Sequence, residues 1–203
     1  MERKKILLAS NNDHKVKEIN NIIKLKKLDV EIVPLKSLGI NNEIPETGST
    51  LEENAMIKCK FLHSLYPKMP VISEDTGLEV FTLGYLPGVH TARYAGPAKN
   101  PIENMNKLLS ELKNQEDRRA RFRTVIAYLE GTTQKTFEGI VEGEIASHQC
   151  GTGGFGYDPI FIPYGYDRTF AELDQDIKNN ISHRAKAFEK LIDYLLTKTH
   201  TTI

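Results

Sequence analysis

The order of apolar segments along the chain limits the folds that it can adopt. Two runs of strand length, at 6–9 and 30–33, flank a segment whose apolar residues recur at the spacing of a helix. Further along, 121–130 and 135–145 are typical of two long strands that form a hairpin around 131–133. Early alternation of strand and helix, followed by a hairpin, predicts an α/β protein with a mixed sheet flanked by helices.

Three further helices are predicted from local signals. A capping box at 50–53 precedes a helical pattern at 51–65, and 102–112 has a similar pattern. The last helix is predicted to begin near Ser182, because a long apolar stripe follows it. The length of 203 residues suits one domain spanning 1–203, with room for two lobes.

Charge and cysteine content argue against several classes of protein. The 27 Lys and Arg residues equal the 27 Asp and Glu residues, so no overall field attracts nucleic acid or an anionic membrane. A small anion held by a few lysines stays compatible with this balance. The two cysteines form neither a disulfide framework nor a metal-finger pattern. The apolar run at 6–9 is too short for a signal or membrane segment, so a cytoplasmic protein is expected.

The segment 151–158 is unusually rich in glycine: four of its first six residues are glycine. Each glycine costs backbone entropy on folding, so a segment of this kind indicates a need for bare backbone. One interpretation is the close approach of a flat or anionic ligand, with Phe155 or Tyr157 as a stacking surface. The alternative is a flexible surface loop.

A polar turn between the first strand and the first helix is a candidate anion site. A turn in this position directs backbone N–H groups and polar side chains toward an anion, and a lysine can neutralise its charge. The alternative is an ordinary helix N-cap followed by a solvated lysine. The segment lacks the glycine and lysine spacing of a P-loop. Its candidate residues are Ser10, Asn11, Asn12, Asp13, His14 and Lys15.

Three acidic residues are candidates for binding a divalent cation. Glu74 and Asp75 follow a predicted buried strand at 70–72, and strand ends are common ligand sites in α/β sheets. With Glu46 they supply the carboxylates that Mg²⁺ prefers. Adjacent residues of an extended chain point to opposite faces, so Glu74 and Asp75 need not share one role. The alternative is a simple turn, because the sequence at 75–77 is typical of turns.

Two further polar groups lie on predicted helices. Lys58 is four residues after Asn54, so both share a helix face, and a lysine beside carboxylates can bind phosphate. Lys178, His183 and Arg184 concentrate hydrogen-bond donors near the start of the last helix, where they can bind phosphate or the carbonyl edge of a base. The alternative is an N-cap serine followed by two exposed residues.

Taken in order, these clusters resemble the inosine triphosphate pyrophosphatase family, whose members hydrolyse deaminated purine nucleoside triphosphates. The matching motifs are Leu-Ala-Ser-Asn-Asn-Asp-His-Lys (8–15), Glu-Thr-Gly-Ser-Thr-Leu-Glu-Glu-Asn-Ala (46–55), Ser-Glu-Asp-Thr-Gly-Leu (73–78), Pro-Gly-Val-His-Thr-Ala-Arg-Tyr (87–94), Gly-Thr-Gly-Gly-Phe-Gly-Tyr-Asp-Pro (151–159) and Ile-Ser-His-Arg (181–184). The likeness extends over nearly the whole chain.

The resemblance implies an elongated mixed sheet with two lobes and a central substrate cleft. It implies a Mg²⁺-dependent homodimer that releases a nucleoside monophosphate and pyrophosphate from ITP, dITP or XTP, with no nucleic-acid or membrane partner. By position, Asp75 corresponds to the catalytic carboxylate and a metal ligand, and Glu46 to a second metal-binding acid. Other positions correspond to groups that bind phosphate, sugar or base: Ser10, Asn12, Lys15, Lys58, Phe155, Asp158, Lys178, His183 and Arg184. Their neighbours Asn11, Asp13, His14, Thr76, Gly156 and Tyr157 complete the expected substrate-binding set.

The chemistry offers a route to base selection. Hypoxanthine and xanthine present a carbonyl where adenine presents an amino group, so donors from His183 and Arg184 would pair with the first two bases and oppose adenine. Two other functions are compatible with the sequence: a nucleotide- or RNA-binding module that stacks bases on the glycine-rich segment, and a pyrophosphatase for modified pyrimidine triphosphates.

Overall fold

The computed structural model describes residues 3–199 of the protein. Six strands are present among these residues: β1 (Lys4–Leu8), β2 (Val30–Pro34), β3 (Val71–Val80), β4 (Arg119–Glu130), β5 (Thr133–Ile145) and β6 (Phe161–Pro163). Five α-helices accompany them: α1 (Asp13–Leu25), α2 (Leu51–Leu65), α3 (Pro101–Glu111), α4 (Gln175–Ile181) and α5 (His183–Thr199). Short 3₁₀ turns occur in several connections, among them Gly88–Arg93.

The strands form one mixed sheet in the order β2-β1-β3-β4-β5-β6. Strand β1 runs parallel to both β2 and β3, whereas β5 and β6 are antiparallel. A two-residue turn at Gly131 joins β4 to β5, and a connection that short requires an antiparallel pair. Gly131 has a φ of 58°, which glycine adopts without the strain that a side chain would cause. The predicted α/β fold with a mixed sheet is confirmed.

The chain divides into two compact units. Unit 1 contains the described residues up to Asp75, Thr124–Gly139 and the chain from Arg184 onward. Unit 2 contains Thr76–Arg123 and Ile140–His183. The predicted substrate cleft and the single-domain assignment stay predictions.

Each unit has its own apolar core. The core of unit 1 is formed largely by β1, α1 and α5, and includes Ile6, Ile22 and Phe188. The core of unit 2 is formed by α3, β4 and the region around β6, and includes Leu108 and Phe161. Separate cores mean that each unit can hold its polar side chains on a rigid support of its own.

Local signals predicted most elements well. Helix α2 has the predicted bounds, and the Thr50 hydroxyl accepts a hydrogen bond from the Glu53 amide at 3.1 Å, as expected of a capping residue. The hairpin, α3 and the start of α5 are also confirmed. Strand β6 and helix α4 were not predicted, because three and seven residues are too few for a clear periodic pattern.

The prediction that β3 ends before Glu74 is wrong. The strand continues to Val80, so Glu74 and Asp75 lie within it, and all but one of its residues are buried. The turn preference of Asp, Thr and Gly is overridden because these residues continue a buried strand of the sheet. Strand β1 ends at Leu8, opposite Ile72, so the two acids still lie just beyond the carboxyl end of a parallel neighbour.

Within residues 3–199, no helix is both long enough and apolar enough to cross a bilayer.

Candidate functional site

The turn after β1 is held against β3 and caps helix α1. The Ala9 amide donates to the Ile72 carbonyl at 2.8 Å, so the chain follows β3 as it leaves the sheet. The Asn12 side chain then accepts hydrogen bonds from the amides of His14 and Lys15, at 3.0 and 3.2 Å. The helix-cap interpretation is therefore confirmed for Asn12. The solvated lysine that accompanied this interpretation is not found, since Lys15 forms an ion pair in unit 1.

Arg184 organises a buried ionic network in unit 1. Its side chain is 1% exposed, and two of its nitrogens donate to the two carboxylate oxygens of Glu74, at 2.7 and 3.0 Å. A third nitrogen donates to Glu18 on α1. Lys15 approaches the other side of the network, with its ammonium 3.1 Å from a Glu74 oxygen. Helix α1, strand β3 and helix α5 are thus joined by charge-assisted hydrogen bonds.

The network fixes the charges of its members. Burial would raise the pKa of Glu74, but the positive charges of Arg184 and Lys15 hold that pKa far below its ordinary value. Burial likewise opposes the charge of Arg184, yet Glu74 and Glu18 raise its pKa above the ordinary value. Glu74 is therefore a carboxylate at neutral pH and is held in place by Arg184 and Lys15.

A second cluster in unit 1 contains Lys58, Glu46 and Asp75. The Lys58 ammonium lies 2.6 Å from a Glu46 oxygen and 3.1 Å from an Asp75 oxygen. Lys58 and Asp75 are both buried, whereas the Glu46 side chain is 30% exposed. One ammonium therefore holds two carboxylates that come from the loop before α2 and from β3.

The proton affinities in this cluster depend on burial and on the neighbouring charges. Burial would lower the pKa of Lys58, but Asp75 and Glu46 raise it, so the lysine stays charged. Burial raises the pKa of Asp75, and nearby Glu46 adds to this, although Lys58 and Lys15 act in the opposite direction. Asp75 consequently binds a proton more readily than an ordinary aspartate.

The acids of this cluster fit a magnesium ion that is bound together with a phosphate ligand. Among the described residues, no three His, Cys, Asp or Glu side chains come together as a self-sufficient metal site. Mg²⁺, however, is commonly held by one or two carboxylates, with waters and substrate phosphates completing its shell. Asp75 and Glu46, brought together by Lys58, supply two such carboxylates.

The glycine-rich segment of unit 2 is folded tightly around the side chain of Asp158. Asp158 accepts a hydrogen bond from the Phe155 amide at 2.7 Å. A Cβ atom added at Gly154 would lie 2.1 Å from the same carboxylate oxygen, and Gly154 has a φ of 70°. The segment therefore needs glycine for close approach as well as for backbone conformation. The flexible-loop interpretation does not account for these contacts.

The two aromatic residues of this segment differ in their surroundings. Tyr157 is buried in the core of unit 2, and its hydroxyl donates to the Thr91 carbonyl at 2.9 Å. Phe155 is only partly buried, and the Lys178 ammonium lies 5.0 Å from the centre of its ring. Lys178 also donates to Asp158 at 2.7 Å. Of the two candidates for a stacking surface, Phe155 is the one that is partly exposed.

His183 lies on an aromatic support in unit 2. Its ring stacks on Phe122 with centres 4.7 Å apart and planes inclined by 19°. Ser182, His183 and Arg184 are all buried, so an N-cap serine followed by two exposed residues is excluded. The orientation of the imidazole is fixed by packing, which suits a group that recognises a ligand by geometry.

The predicted site residues separate between the two units. Unit 1 brings Glu46, Lys58 and Asp75 into one cluster and Lys15 onto Glu74, and unit 2 brings together Phe155, Asp158 and Lys178. Gly156 follows Phe155 directly, and His183 packs on Phe122 in the same unit. Two other predicted site residues have partners outside these clusters. The Asn11 side chain donates to the Ile40 carbonyl, and Asp13 pairs with Lys36 at the surface. Thr76 begins unit 2, and Arg184 belongs to the ionic network of unit 1. Their roles in binding substrate stay predictions.

Sequence reasoning missed Glu18 and the full role of Asn54. Glu18 lies three residues after Lys15 on α1, so both reach the Arg184–Glu74 pair. Nothing in the sequence distinguishes it from the solvated charges around it. Asn54 was noted only as sharing a face with Lys58, yet its side chain is completely buried.

Known proteins are similar to this chain over nearly its full length. Residues 6–194 match the model of the Ham1 family. A dITP/XTP pyrophosphatase of Porphyromonas gingivalis is 49% identical over 193 residues, which cover 95% of this chain and 97% of that protein. The corresponding protein of Bacillus subtilis is 48% identical over 93% of this chain and 95% of its own length. The solved Ham1 protein of Staphylococcus aureus has a TM-score of 0.85 and 40% identity, covering 96% of this chain and all of that one.

Proposed function

The chain belongs to the Ham1 family, and we propose that it hydrolyses dITP, ITP and XTP to the nucleoside monophosphate and pyrophosphate. The curated relatives carry the name dITP/XTP pyrophosphatase. The observation that carries the proposal is the buried Asp75–Lys58–Glu46 cluster in unit 1. It combines a carboxylate of raised proton affinity with a cation that can bind phosphate.

We assign binding of the phosphate chain to Lys15 and Lys58. Lys15 and Lys58 are positive groups with little exposure to solvent, so their attraction for phosphate is weakly screened. Both are paired with carboxylates in the structure, and a phosphate oxygen would compete for the same ammonium groups. Mg²⁺ held by Asp75 and Glu46 would supply Lewis-acid neutralisation of the phosphate charge.

Asp75 is assigned as the general base. Water attacks the α-phosphorus, Asp75 accepts the proton of that water, and the bond to the bridging oxygen breaks to release pyrophosphate. Burial raises the pKa of Asp75, whereas a bound Mg²⁺ would lower it. The assignment therefore rests on the position of Asp75 beside Lys58 and Glu46. Glu74, one residue away, keeps a lowered pKa and is occupied by Arg184, so it is not a competing base.

We assign recognition of the purine base to Phe155, His183 and Lys178. Phe155 offers an aromatic face, and its backbone is fixed by Asp158. His183 and Lys178 are donors on rigid supports, and a six-position carbonyl accepts such donors whereas the amino group of adenine does not. Arg184 is already engaged with Glu74 and Glu18, so we assign it first to holding the network.

Further properties follow from the family resemblance. We assign Mg²⁺ as the cofactor, the α–β phosphoanhydride as the bond cleaved, a homodimer as the assembly and the cytoplasm as the location. The equal numbers of acidic and basic residues support a small anionic substrate over a nucleic-acid partner.

Asp75→Asn tests the assignment directly. Pyrophosphate release from dITP with saturating Mg²⁺ is expected to fall roughly 10²- to 10⁴-fold, the range attributed to general bases. A variant with near-normal turnover would remove Asp75 from the mechanism. A panel of ITP, dITP, XTP, GTP, ATP and modified pyrimidine triphosphates tests the substrate class, and preferential cleavage of a pyrimidine triphosphate would overturn it.

A further inference from the structure

Asn54 is a buried polar residue that the chemistry above does not use. It lies on α2, one turn before Lys58, and its side chain is 0% exposed. Its carbonyl oxygen accepts a hydrogen bond from the Gly48 amide at 2.8 Å. Its amide nitrogen is buried and has no acceptor among the described residues.

The unpaired amide nitrogen of Asn54 has an energetic cost. A buried donor without an acceptor destabilises the folded state, whereas an apolar residue of similar size would avoid that cost. Gly48 is only partly buried, so its amide could be hydrated if Asn54 were absent. Folding stability alone therefore gives little reason for asparagine at this position.

The Gly48 contact holds the loop that carries Glu46. Gly48 lies so close to α2 that a Cβ atom there would be 2.6 Å from the Glu53 Cβ and 2.9 Å from the Asn54 oxygen. Ser49 adds an exposed contact, because its amide donates to the Glu53 carboxylate at 2.7 Å. Two residues before Gly48, the Glu46 carboxylate accepts from Lys58 at 2.6 Å.

We propose that Asn54 is a positioning residue that acts through Gly48 to keep Glu46 on Lys58, beside Asp75. The proposal rests on the assignment of Glu46 and Asp75 to Mg²⁺ and deepens it. Residues that orient metal ligands typically affect metal affinity by about 10- to 100-fold.

Asn54→Ala tests the proposal with two readouts. The Mg²⁺ concentration that gives half-maximal dITP hydrolysis should rise roughly 10-fold or more, while turnover at saturating Mg²⁺ changes less. Hydrogen exchange at 46–50, measured on the substrate-free enzyme, should become faster, and the midpoint of urea unfolding should stay close to the wild-type value because the orphaned donor is also removed. An unchanged Mg²⁺ dependence or unchanged exchange would overturn the proposal.

Gly48→Ala disturbs the same contact from the loop side and should reproduce the shift in Mg²⁺ dependence. Ser49→Ala is the matched control, because it removes only the exposed hydroxyl bond to Glu53. It should leave the Mg²⁺ dependence within about twofold, since exposed contacts contribute little. A shift as large as that of Asn54→Ala would assign the effect to general loosening of the loop and overturn the proposal.

Glu46→Gln separates this inference from the proposed function. Glu46→Gln should itself raise the Mg²⁺ requirement, and adding Asn54→Ala should then have little further effect. An undiminished effect of Asn54→Ala in the Glu46→Gln background would overturn the inference alone. A Glu46→Gln variant with wild-type Mg²⁺ dependence would overturn the metal assignment and, with it, the inference.

Discussion

The clusters of unit 1 and the glycine-rich segment of unit 2 hold their functional groups by different means. In unit 1, Lys58 and Arg184 each bind two carboxylates, and the partners come from distant parts of the chain. In unit 2, the backbone is shaped by glycines around Asp158, leaving Phe155 partly exposed.

The difference reflects what each unit is proposed to bind. Buried charges must be paired, so removal of one charge leaves its partner uncompensated. An aromatic face needs only shape and access, so its loss removes one favourable contact. Substitutions in unit 1 should therefore affect folding or turnover for every substrate, whereas substitutions in unit 2 should change affinity for the base.

The largest expected effect is a loss of stability from Arg184→Met. It leaves the carboxylates of Glu74 and Glu18 buried without their shared cation, at a cost of about 3–5 kcal/mol in the free energy of unfolding. Urea denaturation at pH 7 measures this loss. Arg119→Met is the matched control, because the Arg119–Asp117 pair is exposed and should contribute little to stability. Equal losses in the two variants would contradict the role of the network.

The same variant has a defined pH dependence. The folded-state pKa of Glu74 lies below its ordinary value, so Glu74 stabilises the wild-type protein above the unfolded-state pKa. This contribution is lost as the pH falls from about 5 through the folded pKa. The free energy of unfolding of Arg184→Met should fall less steeply over this acid range, because the variant lacks the positive charge of Arg184 that lowers the pKa of Glu74.

A smaller effect, confined to substrate affinity, is expected for Phe155→Leu. Leucine keeps apolar bulk but removes the stacking face, and stacking on one aromatic contributes about 1–3 kcal/mol per base. The KM for dITP should therefore rise by roughly 5- to 150-fold, with a much smaller change in kcat. Steady-state kinetics on dITP and XTP measures both quantities. A fall in kcat with an unchanged KM would give Phe155 a role like that of the unit 1 residues.

The smallest effect is expected for Tyr157→Phe. The ring stays in the core of unit 2 and only the hydrogen bond to the Thr91 carbonyl is lost, at a cost of about 1 kcal/mol in stability. The KM for dITP should stay within about twofold of the wild-type value. Thermal unfolding measures the change in stability, and steady-state kinetics on the same preparation measures the KM. A rise in KM as large as that of Phe155→Leu would show that Tyr157, too, contacts the base.

Local sequence signals predicted the elements that have strong periodicity or caps. Helix α2 and the hairpin of β4 and β5 followed from such signals. The extent of β3 did not, because residues 75–77 have a turn preference that burial within the sheet overrides. Short elements such as β6 gave no pattern to recognise.

The sequence by itself determined the fold class, the family and the residue types available for chemistry, because motifs and local spacing are properties of the chain. It also indicated that Glu74 and Asp75 need not share one role, since neighbours on an extended strand point to opposite faces. The tertiary structure decided which charges meet: Glu18 with Arg184, and one lysine with both Glu46 and Asp75. Such pairs join residues far apart in sequence, and their strength depends on burial, which local pattern cannot specify.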